Sequence, residues 1–231
     1  MLWQYYIGDD AYFLALTVVF LLGLLAQSSV QRTYNKFAKV PSSAQQPAHM
    51  VAKNLLFHEG SAVQVAPVRG QLTDHYDPRS HVVSLSDAVF NSTSVAAIAV
   101  AAHEIGHVMQ YEEGWEPIRV RNALLPAARI GSQIAPWIVV FGLMFGNATL
   151  AMLGVMLFAV MLLFQVATLP VEFNASKRAL AMLETNGYLT YEEIPQARKV
   201  LNAAAMTYVV AALSSLVTLV RLLSITGKRR K

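Results

Sequence analysis

The chain has 231 residues, of which 55% are hydrophobic and only 14% charged, against about 25% charged in an average soluble domain. That shortfall excludes an ordinary soluble globule and points to a membrane protein. There is no cysteine, which excludes disulfides and a thiolate metal cage. The net charge of +4 is dispersed and gathers only in the tail at 228–231. With no basic helix and no basic stripe interleaved with aromatics, there is no nucleic-acid signature.

Residues 12–30 are nearly all apolar and free of charge, long enough for a first transmembrane helix. Trp3, Tyr5 and Tyr6 precede it at interfacial level. Asp9 and Asp10 stand where a signal peptide would carry basic residues. Arg32, Lys36 and Lys39 follow as anchors, then a short linker at 41–47 (PSSAQQP). Residues 48–93 are the most polar stretch. Within it, 49–59 reads as an amphipathic helix ending at Gly60. Residues 62–68 and 70–73 alternate like strands, 81–85 reads as a short strand, and 74–80 (DHYDPRS) has turn chemistry. A strand here offers an edge that an extended peptide can pair with.

Residues 94–110 (SVAAIAVAAHEIGHVMQ) contain no proline and no charge before Glu104, and predict a helix. His103 and His107 then lie one turn apart on one face, able to offer two imidazole nitrogens to one metal ion. Glu104 sits roughly 100° round the axis, within reach of a water on that metal. The H-E-x-x-H string therefore packs two ligands and a general base into five residues, although an exposed polar helix face can carry the same string. Gly106 costs about 1 kcal/mol in a helix interior. Its place between the histidines implies a close approach by metal, substrate or another backbone.

Residues 134–145 and 149–169 are two apolar runs separated by Gly146, Asn147 and Ala148, and predict a transmembrane hairpin. Pro136 lies near the start of the first run, and Pro170 is expected to end the second. Residues 180–201 are polar again, and 203–223 form a fourth apolar run closed by Arg221 and the basic tail. A catalytic zinc needs a third protein ligand. The hairpin returns the chain to the side of the His pair, and the first acid there is Glu172, expected to open a new polar helix. Its position suits a metal ligand, and equally a plain N-terminal charge favouring the helix dipole.

Four blocks, LTDHYDP (72–78), AAHEIGH (101–107), LPVEFNAS (169–176) and AMTYV (205–209), together resemble the YugP-like neutral zinc metallopeptidases, bacterial multi-pass membrane proteins, along essentially the whole chain. More distantly, a helix-borne HExxH followed by E-F-x-A is similar to the gluzincins of the HtpX and Ste24 types, which place an Asp after that Ala. Here Ser176 follows Ala175, so the carboxylate of those relatives is missing. The resemblance implies His103, His107 and Glu172 as ligands to one Zn2+ per chain, and Glu104 as the base of a zinc-activated peptide hydrolysis. The implied setting is membrane-protein quality control or processing.

The expected fold is mainly α: a multi-pass membrane protein with about four transmembrane helices, a zincin-like catalytic helix and a small β-hairpin or edge strand. The expected organisation is a first span at 1–30, a catalytic region at 31–130 and the hairpin at 131–169. A surface helix with the third ligand at 170–202 and a last span with basic tail at 203–231 follow. An oxyanion donor is also needed. His75, Tyr76 and Arg178 are candidates, with Tyr208 a weaker one. Their bland readings are a turn closure for His75, an interfacial anchor for Arg178 and a packed interfacial ring for Tyr208. His49, His58 and His81 read as ordinary polar residues. The expected partners are a peptide or membrane-protein substrate and the lipid bilayer, with no nucleic acid.

One rival reading is a catalytically inactive zinc-binding membrane scaffold. A transporter or channel is the other, and four spans without internal charge count against it. Arg32, Lys36, Lys39, Arg129, Lys177 and Arg178 near the spans favour a cytoplasmic catalytic face in the bacterial inner membrane, while 228–231 argues the reverse.

Overall fold

The structure, a computed structural model, describes residues 2–228, with side chains from 10 to 227. The rings of Trp3, Tyr5 and Tyr6, the Asp9 side chain and the basic tail lie outside the described residues. In chain order the elements are α1 (Leu2–Phe37), α2 (Ala48–His58), β1 (Gln64–Val68), β2 (His75–Asp77), β3 (Val82–Ser86), α3 (Asp87–Phe90), α4 (Val95–Glu112), α5 (Glu116–Met144), α6 (Ala148–Thr185) and α7 (Ile194–Lys228). Four of these helices, α1, α5, α6 and α7, are long and apolar enough to cross a membrane. The shortest, α5, has 29 residues, about 43 Å at 1.5 Å per residue, against a hydrocarbon core of about 30 Å. The mainly helical, four-span expectation holds, with a small sheet beside it.

The chain forms two compact units. One comprises the residues up to Ala26, Arg119–Leu169 and the residues from Thr207 onward. Here α1 and α7 run side by side: Gly23 faces Val210, and the Arg221 guanidinium lies over the Tyr12 ring at 5.1 Å. The α5–α6 hairpin turns at Gly146, whose φ of +66° suits glycine, and Asn147 Oδ1 accepts the Leu150 N–H at 3.0 Å. Below the turn the two helices touch through glycine. A Cβ on Gly142 would collide with the Ala151 main chain, and one on Gly154 with Val139. Large apolar side chains such as Phe20 (64% exposed) and Trp137 (63%) have no protein cover, which suits a lipid-facing surface.

Two expectations are corrected. Pro170 does not end the third span: α6 continues from Ala148 through Pro170 to Thr185, so Glu172 lies inside this helix and opens no new one. A proline within a membrane helix loses one ladder bond, and neighbouring polar groups and local adjustments compensate. The second strand is also displaced. Residues 69–72 form a bend in place of the expected strand at 70–73, and β2 falls on His75–Asp77, inside the stretch read as turn.

The second unit, Gln27–Ile118 with Pro170–Met206, carries the polar chemistry. Its core joins Val51, Ala52 and Leu55 of α2 with Ile98, Ala101, Ala102 and Ile105 of α4. Alanines Ala96, Ala97, Ala99, Ala101 and Ala102 are all fully buried, so neighbours can approach α4 closely. Ser94 caps α4 by accepting the Ala97 N–H at 3.2 Å. The sheet has the order β1-β3-β2, with β3 central, parallel to β1 and antiparallel to β2. Asp77 closes the β2–β3 turn by accepting from Arg79 N and Ser80 Oγ. Glu193 clamps the segment after α1: its carboxylate accepts the Ser43 N–H at 2.7 Å, the Ser43 hydroxyl at 2.8 Å and the Thr190 N–H at 2.8 Å.

Candidate metal centre

The α4 helix presents His103 and His107 one turn apart, their ring centroids 4.7 Å from each other and the ring planes at 84°. The α6 helix crosses against them. Where the crossing is tightest, Gly106 meets the backbone of Ala175: a Cβ on Gly106 would lie 2.5 Å from the Ala175 carbonyl oxygen. Of the three occupants open to the sequence reading, another backbone is the one found. The contact brings the preceding turn of α6, with Glu172, onto the histidines. Glu172 Oε2 lies 3.4 Å from His103 Nε2 and 3.8 Å from His107 Nε2.

These three side chains offer one ligand atom each, all within 4.8 Å of one another. Two imidazoles and a carboxylate are a donor set that zinc accepts, and three protein ligands leave a fourth position open. The Glu172 side chain is nearly buried and both histidines are partly so. Burial alone would push the His107 imidazole pKa down. The Glu172 carboxylate, with Glu104 and Gln110 beside it, outweighs that and raises the pKa above the ordinary histidine value. The same acidic surroundings favour a metal cation. The residues present therefore fit the ion that the sequence implies.

The outer nitrogens of both rings are also held. His107 Nδ1 is 3.1 Å from Gln110 Oε1, and His103 Nδ1 is 3.2 Å from Ser176 Oγ. Gln110 is fully buried, and its amide nitrogen donates to Val171 O at 2.8 Å and Asn174 Oδ1 at 3.0 Å. With Nδ1 donating to these oxygens, each Nε2 would be free to ligate a metal ion held beside Glu172. Gln110 and Asn174 were not among the sequence candidates. Gln110 carries one local signal, its position three residues after His107 on the same helix. Its partners lie 61 and 64 residues away. Ser176 stands in the sequence only as a missing carboxylate, yet its hydroxyl touches the ring of His103.

Glu104 is 8% exposed and, among the described residues, no side chain donates a hydrogen bond to it, which leaves its carboxylate available to a water. The remaining candidates separate. Arg178 is engaged away from the histidines: Nε donates to Asn174 Oδ1 at 2.7 Å, and its two terminal nitrogens donate to Glu113 at 2.5 and 2.7 Å. The guanidinium holds the Glu113 carboxyl below its ordinary pKa. Tyr76 packs edge-on against Tyr111 at 5.6 Å, one turn beyond His107. Burial, then Glu112, Tyr111 and Asp77, raise its pKa, so the phenol keeps its proton and stays a donor. His75 is exposed on β2, with Nδ1 2.8 Å from Thr73 O. Tyr208 belongs to the other unit, on α7.

The chain belongs to a zinc metallopeptidase family: residues 12–227 match the family described as "Putative neutral zinc metallopeptidase", and membership supports a protease function. Among the proteins it is similar to is the "Putative membrane protease YugP" of Bacillus subtilis (strain 168), 41% identical over 215 residues that cover 92% of this chain and 96% of that relative. No solved structure matches the chain.

Proposed function

We propose that the chain is a membrane-embedded zinc endopeptidase of the gluzincin type, with His103, His107 and Glu172 holding one Zn2+ and Glu104 serving as general base. The observation that carries this reading is the convergence of the three donor atoms on one point, from two helices pressed together at Gly106. When bound there, zinc supplies a water of lowered pKa and a positive charge beside the scissile carbonyl. Glu104 takes the proton of the attacking water and delivers it to the leaving amine. Gln110 and Ser176 fix the ring orientations. Tyr76 is the favoured oxyanion donor, because its phenol is protonated and its ring packs one turn from His107, whereas Arg178 is committed to Glu113 and Asn174.

The substrate is a peptide segment or membrane protein, and the setting is membrane-protein quality control or processing in a bacterial inner membrane. Metal analysis and peptidase assays on purified variants test the reading. Glu104→Gln should keep about one zinc per chain while cleavage falls by at least a hundredfold, since a general base contributes roughly 10²–10⁴ in rate. Glu172→Ala should lose the metal. Full zinc occupancy in Glu172→Ala would remove this residue from the ligand set, and full activity in Glu104→Gln would remove the base. Wild-type protein with zinc but no cleavage of any membrane or peptide substrate would instead favour a structural scaffold.

A further inference from the structure

Away from the metal centre, the second unit holds a cleft between the last turns of its α1 segment and the start of α7. Its volume is about 350 Å³. The polar part of the wall consists of Ser29, Thr33, Lys36, Lys199 and Asn202, and the apolar part includes Phe37 and Met206. No acidic residue lines it. Neither lysine has an acidic partner among the described residues. The Lys36 ammonium stands 5.4 Å from the centre of the Phe37 ring. The lining residues carry two ammonium groups, two hydroxyls and a carboxamide around a mainly apolar wall, which suits an oxyanion attached to an apolar tail.

Position along the two helices identifies the source of that oxyanion. On α1 the apolar run ends at Val30, so Ser29 lies at its end and Thr33 and Lys36 in the two turns just beyond it. On α7 the apolar run begins at Ala203, so Lys199 and Asn202 immediately precede it. Both helices pass from polar to apolar at the cleft, which is the depth of lipid headgroups for spanning helices. Lysines at that depth attract anionic lipid, and the apolar side of the wall suits the start of an acyl chain.

We propose that this cleft binds the phosphodiester headgroup of an anionic phospholipid, with Lys36 and Lys199 as its two charge contacts. The probe is a phosphatidylglycerol labelled on its acyl chain, titrated into the full-length, detergent-purified protein. A phosphatidylcholine with the same label and inorganic phosphate as competitor form the other arms. The expected result is roughly thirty-fold tighter binding of phosphatidylglycerol than of phosphatidylcholine, from two lysines near a membrane surface. The Lys36→Gln, Lys199→Gln double variant should abolish that preference while eluting as a folded protein with its zinc content unchanged. Lys39→Gln, outside the cleft, should keep it. Equal affinity for the two lipids, or an unchanged preference in the double variant, overturns the proposal. Displacement of the lipid by millimolar inorganic phosphate, lost with the same two lysines, would identify a free-phosphate site instead and overturn the lipid assignment.

Discussion

The residue that ties the two halves of the proposed metal centre together is Gln110. Its carbonyl oxygen takes His107 Nδ1 while its amide nitrogen reaches Val171 O and Asn174, so one fully buried side chain spans from the His helix to the turn that carries Glu172. Asn174 passes the link on to Arg178, and Arg178 to Glu113. Losing such an outer partner of a ligating histidine typically costs 10–100-fold in metal affinity. Gln110→Ala should therefore weaken zinc binding by about that factor, measured by competition with a chromophoric chelator. Gln110→Glu keeps the acceptor for His107 but loses the donor to Val171 O and Asn174 Oδ1, so it should recover only part of the affinity. Equal affinities in wild type and Gln110→Ala would reduce Gln110 to a packing role.

At the scale of elements, the controlling contact is the crossing of α4 and α6. Gly106→Ala places a methyl group against the Ala175 carbonyl, a backbone atom that has no rotamer to retreat into. Overpacking of this kind costs about 1–3 kcal/mol, more than the roughly 1 kcal/mol that replacing a mid-helix glycine returns. The variant should lose zinc before it loses the fold, because separating the helices moves Glu172 away from Nε2 of both histidines. Circular dichroism beside metal content checks this, and retained zinc would show that the crossing does not set ligand spacing. The His pair and Glu104 were legible in the sequence because helical periodicity alone fixes their relation. Gly106 was legible as a close approach, but the partner was not, since Ala175 is brought to it only by tertiary packing. The continuity of α6 was illegible for a different reason: a proline at the end of an apolar run reads as a helix stop, yet here the helix runs on from the apolar segment into the polar unit without a break. The three-residue β2 left too short a pattern to set register, and only its antiparallel pairing of Tyr76 with Val83 fixes it.

For the whole molecule, four crossings by α1, α5, α6 and α7, as proposed, would put the segment between α1 and α5 and the one between α6 and α7 on one side of the membrane. The candidate site residues lie on α4, between α1 and α5, and on the polar end of α6. Positive residues near the spans on that side, Arg32, Lys36, Lys39, Lys177 and Arg178, favour the cytoplasm for that face. A C-terminal tag should then be cleaved by protease added to intact spheroplasts, and protection of the tag would reverse the orientation.

At the glycine-to-carbonyl crossing, two main chains meet directly. Ligand spacing fixed by main chain against main chain does not depend on an occupant to assemble it. The cradle is preorganised, so stripping the ion with a chelator should leave an intact scaffold that reloads at once, unlike small zinc modules whose folding and metal capture are a single event.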